Sequence, residues 1–286
     1  MHRLALSTLS PKRRPLRLLK IGINVHHGAT RNPYDRARAP GGSSSGSAAA
    51  VGAGLVPIAL GADGGGSIRI PASLCGAVGL KATWGRLSEH GVPPLCWSVA
   101  HVGPIAASVA DCALAYAVMA GQDPDDPATH GQPQPHLEGF DDDDLCGLRI
   151  GVYQPWFEDA QPDVVSNCER GLSSLVDAGA ELIQIEIPDL ARAKTAHMIS
   201  IIGEIASSQR AYDHAHTNQY GVETRLNLRL AAALGAHDYV CAQRERGRVY
   251  RQLADLFERV DVIVTPTTGR TAPTAGGWTL IDQTDA

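Results

Sequence analysis

Two glycine turns that carry serine lie close together in this chain, Gly41-Gly42-Ser43-Ser44-Ser45-Gly46-Ser47 and Gly61-Ala62-Asp63-Gly64-Gly65-Gly66-Ser67-Ile68-Arg69. A serine hydroxyl is a poor nucleophile until a base takes its proton, and its attack on a carbonyl builds an oxyanion that needs fixed donors. The three consecutive glycines before Ser67 let the backbone fold sharply and aim several N–H groups at one point, which is such a donor set. Together the turns point to acyl transfer at a serine, with Ser67 as the nucleophile.

Other chemistries use similar turns. Glycine amides also cradle phosphate, but neither turn is followed by the Lys-Ser/Thr of a P-loop, and no GxGxxG opens a helix here. Gly42-Ser43-Ser44-Ser45-Gly46 satisfies GxSxG, which would make Ser44 the nucleophile of an α/β-hydrolase elbow. That elbow must follow a strand, and Arg36-Ala37-Arg38-Ala39-Pro40 reads as loop. A plain Gly/Ser linker is disfavoured by the apolar, strand-like run between the turns.

The elements that would hold these turns can be read around them. Ser45 to Gly54 is a small-residue stretch suited to a closely packed helix, and Val56 to Gly61 has the length and apolarity of a strand. Ser108-Val109-Ala110-Asp111 resembles a capping box and opens an apolar helix that ends near Gly121. Leu148–Tyr153 and Ala180–Ile187 read as strands flanking a helix from Asp163 to Ala178, a βαβ pattern. Helices over about 190–212 and 237–259 precede a strand at Val260–Val264 and its Thr-Pro-Thr-Thr-Gly exit. Gly121 to Gly147, with the acidic run Asp141 to Asp144, reads as a surface connection or a boundary between sublobes. The fold class expected is α/β, a mixed β-sheet core covered by helices.

Composition narrows the classes. The 286 residues are 44 % hydrophobic and 19 % charged, ordinary for a chain that buries a real core. A net charge of -5 argues against a nucleic-acid binder, although the first 38 residues are basic. The six cysteines show no CxxC pairs and no neighbouring His, so reduced thiols are expected and no zinc site is. No run of about 18 apolar residues exists for a membrane span, and Arg13-Arg14 lacks the apolar region an export signal needs. A cytoplasmic location, with no nucleic-acid partner, follows as an expectation.

The run GGSSSGSAAAVGAGLVPIALGADGGGSIRIPASLCGAVGLKATWGR, from Gly41 to Arg86, resembles the signature of the amidase signature family. Asn24 to Gly28, Arg31-Asn32-Pro33 and Val262 to Gly269 are similar to the family's flanks. The resemblance implies the amidase signature fold and hydrolysis of a small-molecule amide without metal or cofactor. It implies Ser67 as nucleophile, Ser43 as the bridging serine on a cis Gly42–Ser43 peptide, and oxyanion amides at Gly64, Gly65, Gly66 and Ser67. His90 to Ser98 and His101 to Ala106 look closest to general amidases and fatty-acid-amide-hydrolase-like members, which favours an apolar acyl group over a tRNA-linked glutamate. Leu95 and Trp97 would equally serve as core residues.

The family's third catalytic group is a lysine in an Ile/Val-Lys-Asp-like motif well before the bridging serine. Ser43 has 42 residues ahead of it, and Lys12, Lys20, Lys81 and Lys194 lie in no such motif. Lys81 matches a different family lysine, in the Gly-Leu-Lys-Pro-Thr stretch. The triad lysine is therefore unknown, weak or absent catalysis is expected, and the fold reads as incomplete, cut at both ends from a longer parent. The division expected is an unstructured basic segment over 1–20, a partial amidase domain over 21–275 and a tail over 276–286. An inactive remnant or binding module, and an amidotransferase A-type subunit working with partners, stand as alternatives. Oligomeric state is left open.

Overall fold

The computed structural model describes residues 22–24 and 28–275. The expected basic segment 1–20, the tail 276–286, and Lys12 and Lys20 with them, lie outside the described residues. The chain divides into two units: one holds 1–137, 200–235 and 272–285, the other 138–199 and 236–271.

In the first unit, β1 (Ile23–Asn24) pairs antiparallel with β2 (Gly28–Ala29), and α1 (Ser45–Gly52) precedes β3 (Ile58–Asp63). Next come α2 (Arg69–Leu74), β4 (Val78–Gly79), β5 (His101–Ala106) and α3 (Val109–Met119). β5 lies between β3 and β4, antiparallel to both, and is buried along its whole length. Small side chains bring α1 against β3. Ser47 Oγ donates to the Leu60 carbonyl at 2.7 Å, and a Cβ on Gly61 would lie 2.7 Å from Ser44 Oγ. Ile68 and Ile105 are fully buried in a core with Ala48, Val51, Ala59, Ala72 and Cys75. Each such isoleucine contributes about 1.5–3 kcal/mol of burial, so the residue directly after Ser67 is anchored in the core. Ser108 caps α3 as expected: its Oγ accepts from the Asp111 N–H at 3.1 Å.

The second unit contains β6 (Arg149–Val152), α4 (Gln154–Glu158), α5 (Pro162–Asp177) and β7 (Glu181–Gln184). α6 (Leu190–His216) gives this unit its residues up to Ile199 and gives the rest to the first unit, which also holds α7 (Val222–Ala231). α8 (Ala236–Phe257) and β8 (Val262–Val264) complete the second unit. β6 is central and parallel to both β7 and β8, so β6-α5-β7 is the expected βαβ unit. Ile185, Ile187, Leu256 and Val260 form its core, with Val152, Phe157 and Leu172 in a second cluster.

The chain is thus mixed α/β, with its antiparallel and parallel strands in separate sheets. Three short helices go beyond the sequence reading, α2, α4 and α7, and β3 begins and ends two residues later than the apolar run, which places Asp63 at its end. All six cysteines are free thiols.

Candidate active site

Asp63 organises the second glycine turn. Its side chain is fully buried. Oδ1 accepts from the Gly66 N–H at 2.6 Å, and Oδ2 from the Ile68 and Arg69 N–H groups at 3.2 and 3.3 Å. Arg69 closes the arrangement with two parallel bonds, Nε to Oδ2 at 2.9 Å and Nη2 to Oδ1 at 3.0 Å, the geometry in which charge-assisted pairs are strongest. Burial alone would push the Asp63 carboxyl up. The Arg69 hydrogen bond and charge, the Gly66 N–H and the Lys81 charge overcome it and hold the group at about 2. A permanent anion therefore sits inside the turn and fixes where its amides aim.

That assignment uses one of the expected oxyanion donors. The Gly66 N–H faces Asp63, whereas no acceptor is found among the described residues for the N–H groups of Gly64, Gly65 or Ser67. Gly66 has φ +108°, and a Cβ there would lie 2.5 Å from Ile70 Cδ1, so only glycine fits. Gly64 and Gly66 are buried, Gly65 is exposed and Ser67 is half-buried.

The first turn meets the second. The Gly42–Ser43 peptide is cis, and the Ser44 N–H donates to the Ser67 carbonyl at 3.1 Å. Ser43 is half-buried, and neither its hydroxyl nor that of Ser67 has a hydrogen-bond partner among the described residues. Ser44 differs: it is buried, its Oγ accepts from the Ala62 N–H at 3.2 Å and faces the Ala62 carbonyl at 3.4 Å, and no strand leads into it. It joins α1 to β3, as the loop before it already suggested.

No described lysine bonds Ser43. Lys194 lies in the exposed first part of α6. Lys81 is partly buried, and its Nζ donates to the backbone carbonyls of Asp63 and Val99. Burial pulls the Lys81 ammonium below the usual lysine range, against the opposing charge of Asp63. Sequence reasoning gave Asp63, Arg69 and Lys81 no role. The Asp-to-Arg spacing across the glycine turn is the signal that could have found the first two.

Beside the turn, a Cβ on Gly64 would meet Cys96 Sγ at 3.0 Å and the Ala100 side chain at 3.3 Å. The segment Cys96–Ala100 is held by Glu204, which accepts from the Ser98 N–H at 2.9 Å and from Ser98 Oγ. Leu95 packs with Cys96, Val99 and Ala100 against Ile201 and Ile205. Trp97 is half-exposed and its carbonyl faces Trp84 Nε1 at 3.3 Å. Among the described residues no group of three or more His, Cys, Asp or Glu is placed to hold a metal ion, and no helix is long and apolar enough to cross a membrane.

Known proteins resemble this chain in sequence and fold. The chain is 44 % identical over 261 residues to a fatty acid amide hydrolase of Medicago truncatula, covering 88 % of this chain and 43 % of that protein. It is 38 % identical over 274 residues to the A-type subunit of a glutamyl-tRNA(Gln) amidotransferase of Roseiflexus castenholzii, covering 87 % of this chain and 56 % of that one. The crystal structure of the corresponding glutamyl-tRNA(Gln) amidotransferase subunit from Thermotoga maritima superposes with a TM-score of 0.75 at 31 % identity, over 91 % of this chain and 58 % of its own. A crystal structure of an amidase reaches 0.79 at 29 % identity, over 91 % and 56 %. The chain spans about half the length of the curated relatives it matches. The amidase family model matches residues 21–285, and this chain belongs to that family.

Proposed function

We propose that this chain acts on carboxylic amides, with Ser67 as nucleophile and Ser43 as the relay for its proton. The Ser67 Oγ–carbon bond forms as the proton passes through Ser43 to a base, and the oxyanion accepts the amides of Gly64, Gly65 and Ser67. The intermediate then expels the amine, which takes the proton, and water hydrolyses the acyl ester. The observation that supports this reading best is the joining of the two turns, in which the Ser44 N–H, next to Ser43, donates to the Ser67 carbonyl at 3.1 Å. The base is unassigned, since no described lysine bonds Ser43 and Lys12 and Lys20 lie outside the described residues; a general base is worth roughly 10²–10⁴-fold in rate. A substrate with an apolar acyl group is favoured by the 44 % identity to a fatty acid amide hydrolase.

The test compares wild type with Ser67→Ala on a panel of alkyl and aryl amides, alongside labelling by a fluorophosphonate. Ser67→Ala loses about three orders of magnitude or more in rate and takes no label. Equal rates and equal labelling in the two proteins overturn the reading. A second reading, an amidotransferase A-type subunit, is supported by the relatives from Roseiflexus and Thermotoga. It requires partner subunits that copurify with the chain.

A further inference from the structure

Lys81 is occupied by backbone rather than by another side chain, and the two carbonyls it holds are not arbitrary. The Asp63 carbonyl belongs to the same peptide unit as the Gly64 N–H, one of the turn amides with no acceptor among the described residues. The Val99 carbonyl belongs to the segment whose Cys96 and Ala100 lie against Gly64. Nζ gives an N–H to each of these two carbonyls, and the charge of the neighbouring Asp63 carboxylate favours its ammonium form. A cation on a peptide oxygen draws electron density from that peptide's nitrogen and strengthens its N–H as a donor, and chains of hydrogen bonds polarise one another in this way.

We propose that Lys81 is a positioning residue for the oxyanion turn: it ties the end of β3 to the Cys96–Ala100 segment and polarises the Gly64 N–H toward the developing oxyanion. The inference rests on reading Gly64 to Ser67 as that turn. Arg69 cannot replace Lys81, because its guanidinium is spent on the Asp63 carboxylate at the opposite end of the residue. Glu204 holds the Cys96–Ala100 segment from the other side through Ser98, so loss of Lys81 frees one edge of the segment and leaves the other in place.

The experiment uses the full chain as wild type, Lys81→Met, Lys81→Arg and Ser67→Ala, with two readouts. Amide hydrogen exchange over 60–69 and 96–101 reports the tie and needs no turnover. Lys81→Met speeds exchange in both segments about tenfold or more and leaves the β6-β7-β8 sheet unchanged, while Lys81→Arg, which keeps charge and donors, restores protection. Binding of an alkyl boronic acid, a tetrahedral adduct of the serine, reports the polarised amide. Lys81→Met weakens it about tenfold, less than the 10²–10³ of losing an oxyanion donor outright, without changing the affinity for the corresponding carboxamide. Unchanged exchange in both segments overturns the tie, and unchanged Ser67-dependent boronate affinity overturns the polarisation. Boronate binding that survives Ser67→Ala in full instead overturns the reading of Ser67, and exchange still decides the tie. If Lys81→Met does not fold, Lys81→Gln, neutral with one amide group, is read in the same way.

Discussion

Among the described residues the same bidentate Asp–Arg pair occurs twice, in very different surroundings. In the first unit Arg69 grips Asp63 at 2.9 and 3.0 Å, and in the second Arg149 grips Asp261 with Nε to Oδ2 at 3.1 Å and Nη2 to Oδ1 at 2.8 Å. Both aspartates are held at about 2. For Asp261 the main cause is the Arg149 hydrogen bond, whereas for Asp63 it is the sum of Arg69, Gly66 and Lys81 working against burial. Asp63 is fully buried and Asp261 is 39 % exposed. Equal geometry and equal titration therefore conceal unequal importance. Water can replace Arg149 around Asp261, and nothing but protein can serve Asp63.

Asp63→Ala gives the largest effect that follows from this contrast. It orphans the N–H groups of Gly66, Ile68 and Arg69 and removes the partner of Arg69. The half-exposed Arg69 can turn to water, but the N–H groups of the buried Gly66 and Ile68, left without acceptors, cost about 1–3 kcal/mol each, and the freed Gly66 N–H no longer fixes the turn. Denaturant unfolding should show a loss of that size, and fluorophosphonate labelling of Ser67 should vanish with it. A variant that labels at the wild-type rate would break the claim that Asp63 frames the site.

The acid branch of stability sharpens the same point. The folded pKa of Asp63, about 2, lies below its ordinary value of 3.8, so its contribution is complete above the ordinary value and is lost as pH falls through about 2. The stability gap between wild type and Asp63→Ala should narrow by about 2 kcal/mol between roughly pH 4 and pH 2. Urea melts across that range measure it, and a gap that stays constant would mean the carboxylate charge is not what Asp63 contributes.

How much of this was visible beforehand follows from which forces act locally. α1, α3 and α5 carry their own signals, in small residues, a serine cap and an amphipathic period, and the sequence placed them within a few residues. α7 is harder to read: it buries Thr224, Leu228 and Ala231 while Val222, Leu226 and Leu230 face outward, so its apolar residues are split between both faces. At the site, Ser43, Ser67 and the glycines announce themselves by type and spacing. Asp63 shows only through its spacing to Arg69, and Lys81 not at all, because the carbonyls of Asp63 and Val99 that it holds come together only when β3, β5 and the Cys96–Ala100 segment are in place. Ser44 differs from Ser43 and Ser67 in the same way, its hydroxyl bonded to Ala62.

The smallest effect belongs to Asp261→Asn, and it is the control that gives the comparison its meaning. Arg149 would keep its bond to the Glu258 carbonyl at 3.2 Å, and the amide oxygen of asparagine could still accept from the Arg149 N–H that Asp261 Oδ2 now holds at 2.8 Å. What is lost is a solvent-reachable charge pair, which water and salt already discount. The variant should match wild type in Ser67 labelling, and any stability difference at low salt should disappear at about 1 M salt, where the screening length falls to about 3 Å. A loss comparable to that of Asp63→Ala, persisting in high salt, would show that Asp261 is as enclosed in solution as Asp63. The contrast between the two pairs would then have to rest on the amides Asp63 gathers rather than on its burial.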